Sequence, residues 1–110
     1  MIYSEGKEYA AAAEQYREAS ELGPRFPTAY YNYGNDLLAQ AEYRRAATLF
    51  SKSLRLYPTD AWALNNRGLA YVKMGKLKKA RKDFEEALRI EPGFDQAKQN
   101  LGRVDSTPRR

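Results

Sequence analysis

Neither cysteine nor histidine occurs anywhere in the 110 residues. Their absence removes disulfides, the thiolate nucleophile, the commonest general base and nearly all zinc-type ligand sets. No apolar run approaches the roughly 20 residues that a membrane-spanning helix needs. The first residues, Met1 to Tyr9, lack both the basic start and the apolar stretch of a signal peptide. The chain therefore reads as soluble and untargeted, with the cytoplasm as its expected location. Carboxylates and lysines are present, but they lie scattered at helical spacing with no strand-loop-helix context to converge them. Neither catalysis nor a bound cofactor or metal is expected. What remains is a composition of 43% apolar and 30% charged residues, ordinary for one globular domain of this length.

Order within that composition comes from repetition. Pro24, Pro58 and Pro92 stand 34 residues apart, as do Gly34, Gly68 and Gly102, Asn32, Asn66 and Asn100, and Ala12, Ala46 and Ala80. The same step joins Tyr16 to Phe50 and Phe84, and Leu22 to Leu56 and Ile90. A period in this range marks a solenoid whose units bury their apolar faces against their neighbours. Within a unit, Tyr30, Tyr33, Gly34 and Leu37 recur at helical spacing, and Tyr43, Ala46, Ala47, Phe50 and Leu54 do so again. Prolines separate the units and Asp60 can cap the helix that follows it. The spacing predicts helices over 8–22, 27–40, 43–56, 61–74, 77–90 and 95–104. Gly34 and Gly68 on first helices, with Ala46 and Ala80 on second helices, mark where the paired helices approach closely, and Phe50 and Phe84 fill the space beside them.

This arrangement resembles the tetratricopeptide repeat family. Residues 61–94 match its pattern at Leu64, Gly68, Tyr71, Gly75, Ala80, Phe84, Ala87 and Pro92, and residues 27–60 match at Tyr30, Gly34, Tyr43, Ala46, Phe50 and Pro58. The resemblance implies an all-α, right-handed superhelix of helix-turn-helix units. One domain over 1–104 is expected: a half unit (1–26), two full units (27–60 and 61–94), a capping helix (95–104) and a flexible tail (105–110). The half unit leaves a cut N-terminal edge, read either as a fragment of a longer array or as an apolar surface that another chain covers.

The resemblance further implies a noncatalytic protein-interaction scaffold whose first helices line a concave groove for a peptide segment or an amphipathic helix. Carried over by position, that groove is lined by Tyr31, Asn32, Asn35 and Leu38, then by Trp62, Asn65, Asn66, Leu69 and Lys73, with Gln96, Gln99 and Asn100 on the cap. Trp62, the only tryptophan, reads either as an anchor for the partner or as packing beside the inter-repeat loop. Asn35 and Asn66 fall on the asparagine positions of the clamp with which some family members hold the C-terminal carboxylate of heat-shock chaperones. The cationic positions of that clamp hold Tyr31, Gln96 and Asn100, which disfavours a chaperone tail as partner.

Two features point elsewhere. Where the third unit has the breaker Gly75, the middle unit has Gln40, Ala41 and Glu42 inside a run of good helix formers. Hairpin packing is expected to impose the turn. The alternative is a hinge through which two copies exchange helices as a homodimer. Charge is also uneven, with three basic and five acidic groups in 1–26 against eight basic and four acidic in 61–94. The excess gathers at Lys73, Lys76, Lys78, Lys79, Arg81 and Lys82. Pairs such as Lys79 with Asp83 and Arg81 with Glu85 stand at spacing that favours solvated ion pairs. That neutralisation, and the lack of interleaved aromatics, argue against nucleic acid as partner.

Overall fold

The computed structural model describes residues 27–106. Five helices follow one another: α1 (Pro27–Ala39), α2 (Tyr43–Leu56), α3 (Ala61–Lys73), α4 (Leu77–Ile90) and α5 (Asp95–Ser106). There is no strand among the described residues. α1 pairs with α2 and α3 with α4 as hairpins, α2 packs on α3, and α5 closes on α4 and α3. The fold is thus the expected all-α hairpin array. The helix expected over 8–22 and the half unit it belongs to lie outside the described residues. At the other end α5 continues to Ser106, so Asp105 and Ser106 belong to the helix and not to the expected tail. Asp105 forms an ion pair with Arg81 of α4 that holds this last turn to the array.

Small residues set the hairpin spacing as the sequence pattern required, but glycine faces phenylalanine directly. A methyl group built on Gly34 would lie 2.7 Å from Phe50 Cε1, and one on Gly68 would lie 2.5 Å from Phe84 Cε1. Both rings are fully buried. Around Phe50 the core gathers Tyr30, Tyr33, Leu37, Ala46 and Leu49 with Ala70 from the next hairpin. A second cluster joins Leu54, Ala61 and Leu64 to Ala87 and Ala97, so every unit is sealed by its neighbour.

Helix ends are made by local chemistry. Asp60 caps α3 by accepting from the backbone N–H groups of Trp62 at 3.1 Å and Ala63 at 3.2 Å, an arrangement typically contributing ~1 kcal/mol. α1 and α3 finish in the same C-terminal motif. Glu42 N–H donates to Leu37 C=O at 2.8 Å and Ala41 N–H to Leu38 C=O at 3.0 Å; Lys76 with Tyr71 and Gly75 with Val72 repeat the pair at 2.8 and 3.0 Å. This motif needs one residue in the left-handed region. Gly75 supplies it at φ 77°, and Ala41, despite its Cβ, supplies it at φ 63°. Packing has imposed the turn on a segment whose propensity is helical.

Candidate peptide-binding face

The first helices of the units, α1, α3 and α5, touch in order, and the polar groups assigned to the groove meet along this seam. Asn66 Nδ2 of α3 donates to Asn35 Oδ1 of α1 at 2.9 Å and to Tyr31 Oη at 3.2 Å. Asn65 Nδ2 donates to Asn66 Oδ1 at 3.3 Å, and Asn100 Nδ2 of α5 donates to Asn65 Oδ1 at 2.9 Å. Four amides and a phenol therefore form one chain across three helices. Asn65 is fully buried and Asn100 nearly so, which corrects their assignment as groove-facing groups: they pin the inner helices together. A buried amide left unpaired would cost about 1–3 kcal/mol, and among the described residues no buried side-chain nitrogen or oxygen lacks a partner. Asn35 and Asn66 are half-buried, and their bonded amide groups serve this seam before any ligand.

The remaining groove positions differ in what they present. Asn32 and Lys73 are exposed, while Tyr31, Leu38 and Leu69 are half-buried. The Tyr31 ring tilts against Phe50 with centroids 5.9 Å apart. Trp62 shares a helical face with Asn66, Leu69 and Lys73. It leans on Phe94 of the loop before α5, ring centroids 4.6 Å apart, and still keeps 49% of its surface exposed. The ring thus packs beside the inter-repeat loop and leaves about half its surface accessible. Where α3 meets α5, a notch of about 270 Å³ is lined by Leu69, Val72, Leu77 and Val104 with Lys73, Asn100 and Arg103. It falls below the roughly 300–1,000 Å³ of small-molecule pockets and suits a side chain.

The hairpin register also brings together a polar set that sequence reading missed. Arg67 Nε and Nη2 donate to the two carboxylate oxygens of buried Asp83 at 2.8 and 2.7 Å, and Nη1 donates to Ser51 Oγ at 3.0 Å. The bond to Asp83 raises the Arg67 pKa above its ordinary value against the opposing effect of burial. The signal was present: Ser51, Arg67 and Asp83 are 16 apart, the step that also joins Gly34 to Phe50 and Gly68 to Phe84. With Asp83 held by Arg67, and Arg81 paired with Asp105, the expected pairs Lys79–Asp83 and Arg81–Glu85 do not form. Lys79 instead lies over the Tyr71 ring, 5.6 Å from its centroid. At the other suggested site, Gln40, Ala41 and Glu42 form the closed turn described above.

Among the described residues no group of three or more acidic side chains is placed to hold a metal ion, and no helix is long and apolar enough to cross a membrane.

Comparison with known proteins agrees with this geometry. Two models of the tetratricopeptide repeat match, one over residues 61–94 and one over residues 34–75. Human tetratricopeptide repeat protein 6 is 33% identical over 58 residues, which are 53% of this chain and 11% of that protein, so the chain spans only a small part of its length. The second tetratricopeptide domain of human RPAP3, solved with the HSP70 peptide SGPTIEEVD, superposes with a TM-score of 0.87 at 26% identity, covering 93% of this chain and 85% of that one. The tetratricopeptide domain of Arabidopsis OM64 gives 0.85 at 27% identity over 94% of this chain and 85% of that one. With paired glycine and phenylalanine in successive hairpins, and two family models that together run from Gly34 to Phe94, the chain belongs to the tetratricopeptide repeat family.

Proposed function

We propose that this protein-interaction scaffold holds an internal segment of a partner protein along the inner face of α1, α3 and α5, anchored by Trp62. The observation that carries this reading is the half-exposed indole held against Phe94. A ring already fixed by a neighbour loses little freedom on binding, and aromatics of this kind carry a disproportionate share of interface energy. The notch beside Leu69 and Lys73 supplies a place for an apolar side chain further along. RPAP3 was solved with the acidic HSP70 peptide SGPTIEEVD. The positions corresponding to clamp cations hold Tyr31, Gln96 and Asn100 here, and Tyr31 and Asn100 are bonded to Asn66 and Asn65. An internal segment with apolar anchors fits this face better than a terminal carboxylate.

Because Trp62 is the only tryptophan, its fluorescence reports occupancy directly. Peptides selected from a random dodecapeptide display library should shift its emission to shorter wavelength, and Trp62→Ala should weaken their binding at least tenfold, about 1.4 kcal/mol. The thermal midpoint should change by only a few degrees. A collapse of stability with Trp62→Ala would make the residue core and refute the groove assignment.

Self-association is a second reading, favoured by Ala41 at φ 63°. If Gln40, Ala41 and Glu42 straightened, α1 and α2 would fuse and two copies would exchange partners without losing any hairpin contact. Relief of left-handed strain is worth ~1–2 kcal/mol per copy, against an association cost of roughly 4–15 kcal/mol. The exchanged dimer should therefore appear only at high protein concentration, where light scattering would detect it, and Ala41→Gly should suppress it. A constant monomer mass into the millimolar range would eliminate this reading.

A further inference from the structure

The hairpin-turn edge of the array carries a basic surface whose cations form no ion pair among the described residues. An open cleft of about 580 Å³ between the two turns is lined, among the described residues, by Arg44, Arg45, Lys73 and Lys76 with Glu42 as the one carboxylate. Tyr43 and Met74, both half-buried, add apolar surface to it. Lys78 and Lys79 extend the strip, one repeat on from Arg44 and Arg45. Helical spacing suggested that acids on α4 would neutralise it. Among the described residues they form no ion pair with it: Asp83 pairs with Arg67 and Glu86 with Arg89, while Glu85 is exposed further along α4 and bridges to none of these cations.

The cations are also placed against local electrostatics. Neither α2 nor α4 has an acidic residue in its first turn, where the helix macrodipole favours negative charge. Arg44 and Arg45 stand in one of these turns and Lys78 and Lys79 in the other. Two of the four are set by aromatic residues of the preceding helix. Arg45 Nη2 donates to Tyr33 Oη at 2.9 Å, and Lys79 rests over Tyr71. The result is an ordered row of positive charge, unfavourable to the isolated fold and favourable to an anionic partner.

We infer that this turn edge is a second interaction surface, sharing only Lys73 with the inner face, and that it binds an acidic segment of a partner protein with an apolar residue among its carboxylates. The carboxylates meet Arg44, Arg45, Lys73 and Lys76, while the apolar side chain rests on Tyr43 and Met74. A single nucleic-acid strand fits less well, because base stacking needs a free aromatic face beside the phosphates, and the two tyrosines here are half-buried, with Tyr71 lying under Lys79. The exposed aromatic on α3, Trp62, sits at the opposite end of that helix from Lys73, about 16 Å of helical rise away.

The test uses the full chain with two fluorescein-labelled probes, the peptide Gly-Glu-Glu-Leu-Glu-Glu-Leu-Glu-Glu-Gly and a twelve-nucleotide oligouridylate, read by anisotropy. The peptide should bind, weaken at least tenfold between 50 and 300 mM NaCl, and weaken at least tenfold in Arg44→Glu/Lys76→Glu. Arg55→Glu/Lys98→Glu, the same charge change at exposed sites outside the cleft, should alter binding less than twofold, as should Trp62→Ala. Arg44→Glu puts a carboxylate where the macrodipole favours one, so the fold should survive, as circular dichroism would verify. Equal losses in the two double variants would mean nonspecific attraction to net charge and overturn the site. So would undetectable peptide binding, or a full-affinity complex with a peptide in which glutamine replaces glutamate. Tighter binding of oligouridylate, lost in the edge variant, would overturn the choice of partner in favour of nucleic acid. None of these results bears on peptides that shift Trp62 fluorescence, so the two surfaces stand or fall separately.

Discussion

Gly34, Gly68 and Gly102 are equivalent in the repeat, yet they meet different surroundings. A methyl group on Gly68 would strike Phe84 at 2.5 Å, whereas no described residue lies within 4 Å of one on Gly102. Phe84 is fully buried and has little room to retreat. Gly68→Ala should therefore destabilise by about 1–3 kcal/mol, because overpacking outweighs the gain in helix propensity. Gly102→Ala, on an exposed stretch of α5, should stabilise by about 0.5–1 kcal/mol. Urea denaturation of the two variants checks both signs; a loss at Gly102 would show that a close approach occurs there too. The period correctly marked Gly34 and Gly68 as contact points, but it could not separate them from Gly102, since the distinction lies in whether a phenylalanine stands opposite.

The two helix-ending turns form the same comparison at the next scale. Turn 40–42 and turn 74–76 share their hydrogen bonds, but one places alanine and the other glycine in the left-handed position. Ala41→Gly should raise stability by about 1 kcal/mol, and Gly75→Ala should lower it by a similar amount or more. Thermal unfolding would check the pair, and a destabilised Ala41→Gly would mean that the alanine methyl contributes packing that offsets its strain. Helix boundaries were legible in the sequence to within two residues for all five described helices, because proline, Asp60 and the apolar spacing act locally. The amide chain through Asn35, Asn66, Asn65 and Asn100 was not: it depends on how far neighbouring first helices rotate about their axes. For that reason Asn65 was assigned to the groove and is buried in the seam.

Across the molecule, stability should follow the connectivity of a solenoid, in which each helix depends on its neighbours. α3 touches all four other described helices, whereas α5 rests on α3 and α4 alone. Native-state hydrogen exchange should be slowest in α3 and at least tenfold faster in α5, where opening breaks the Ala97, Asn100 and Val104 contacts and the exposed Asp105–Arg81 pair. Uniform protection across the five helices would indicate a single cooperative unit. The same connectivity separates the two proposed surfaces. The inner face is built on the first helices and the basic edge on the turns, so an extended partner could engage both.

By itself the sequence determined the architecture: a 34-residue period, two helices per unit and small residues at the hairpin contacts leave the chain one way to bury its apolar stripes. It also excluded thiol and imidazole chemistry outright. Tertiary structure decided which polar groups are spent on the fold and which remain for partners. Asp83 and the asparagines looked available as charges and donors in the linear chain. Arg67 and the inner seam consume them, while the lysines and arginines of the turn edge form no ion pair among the described residues. Pairing of side chains across helices depends on distance and orientation between elements, and the repeat period carries neither.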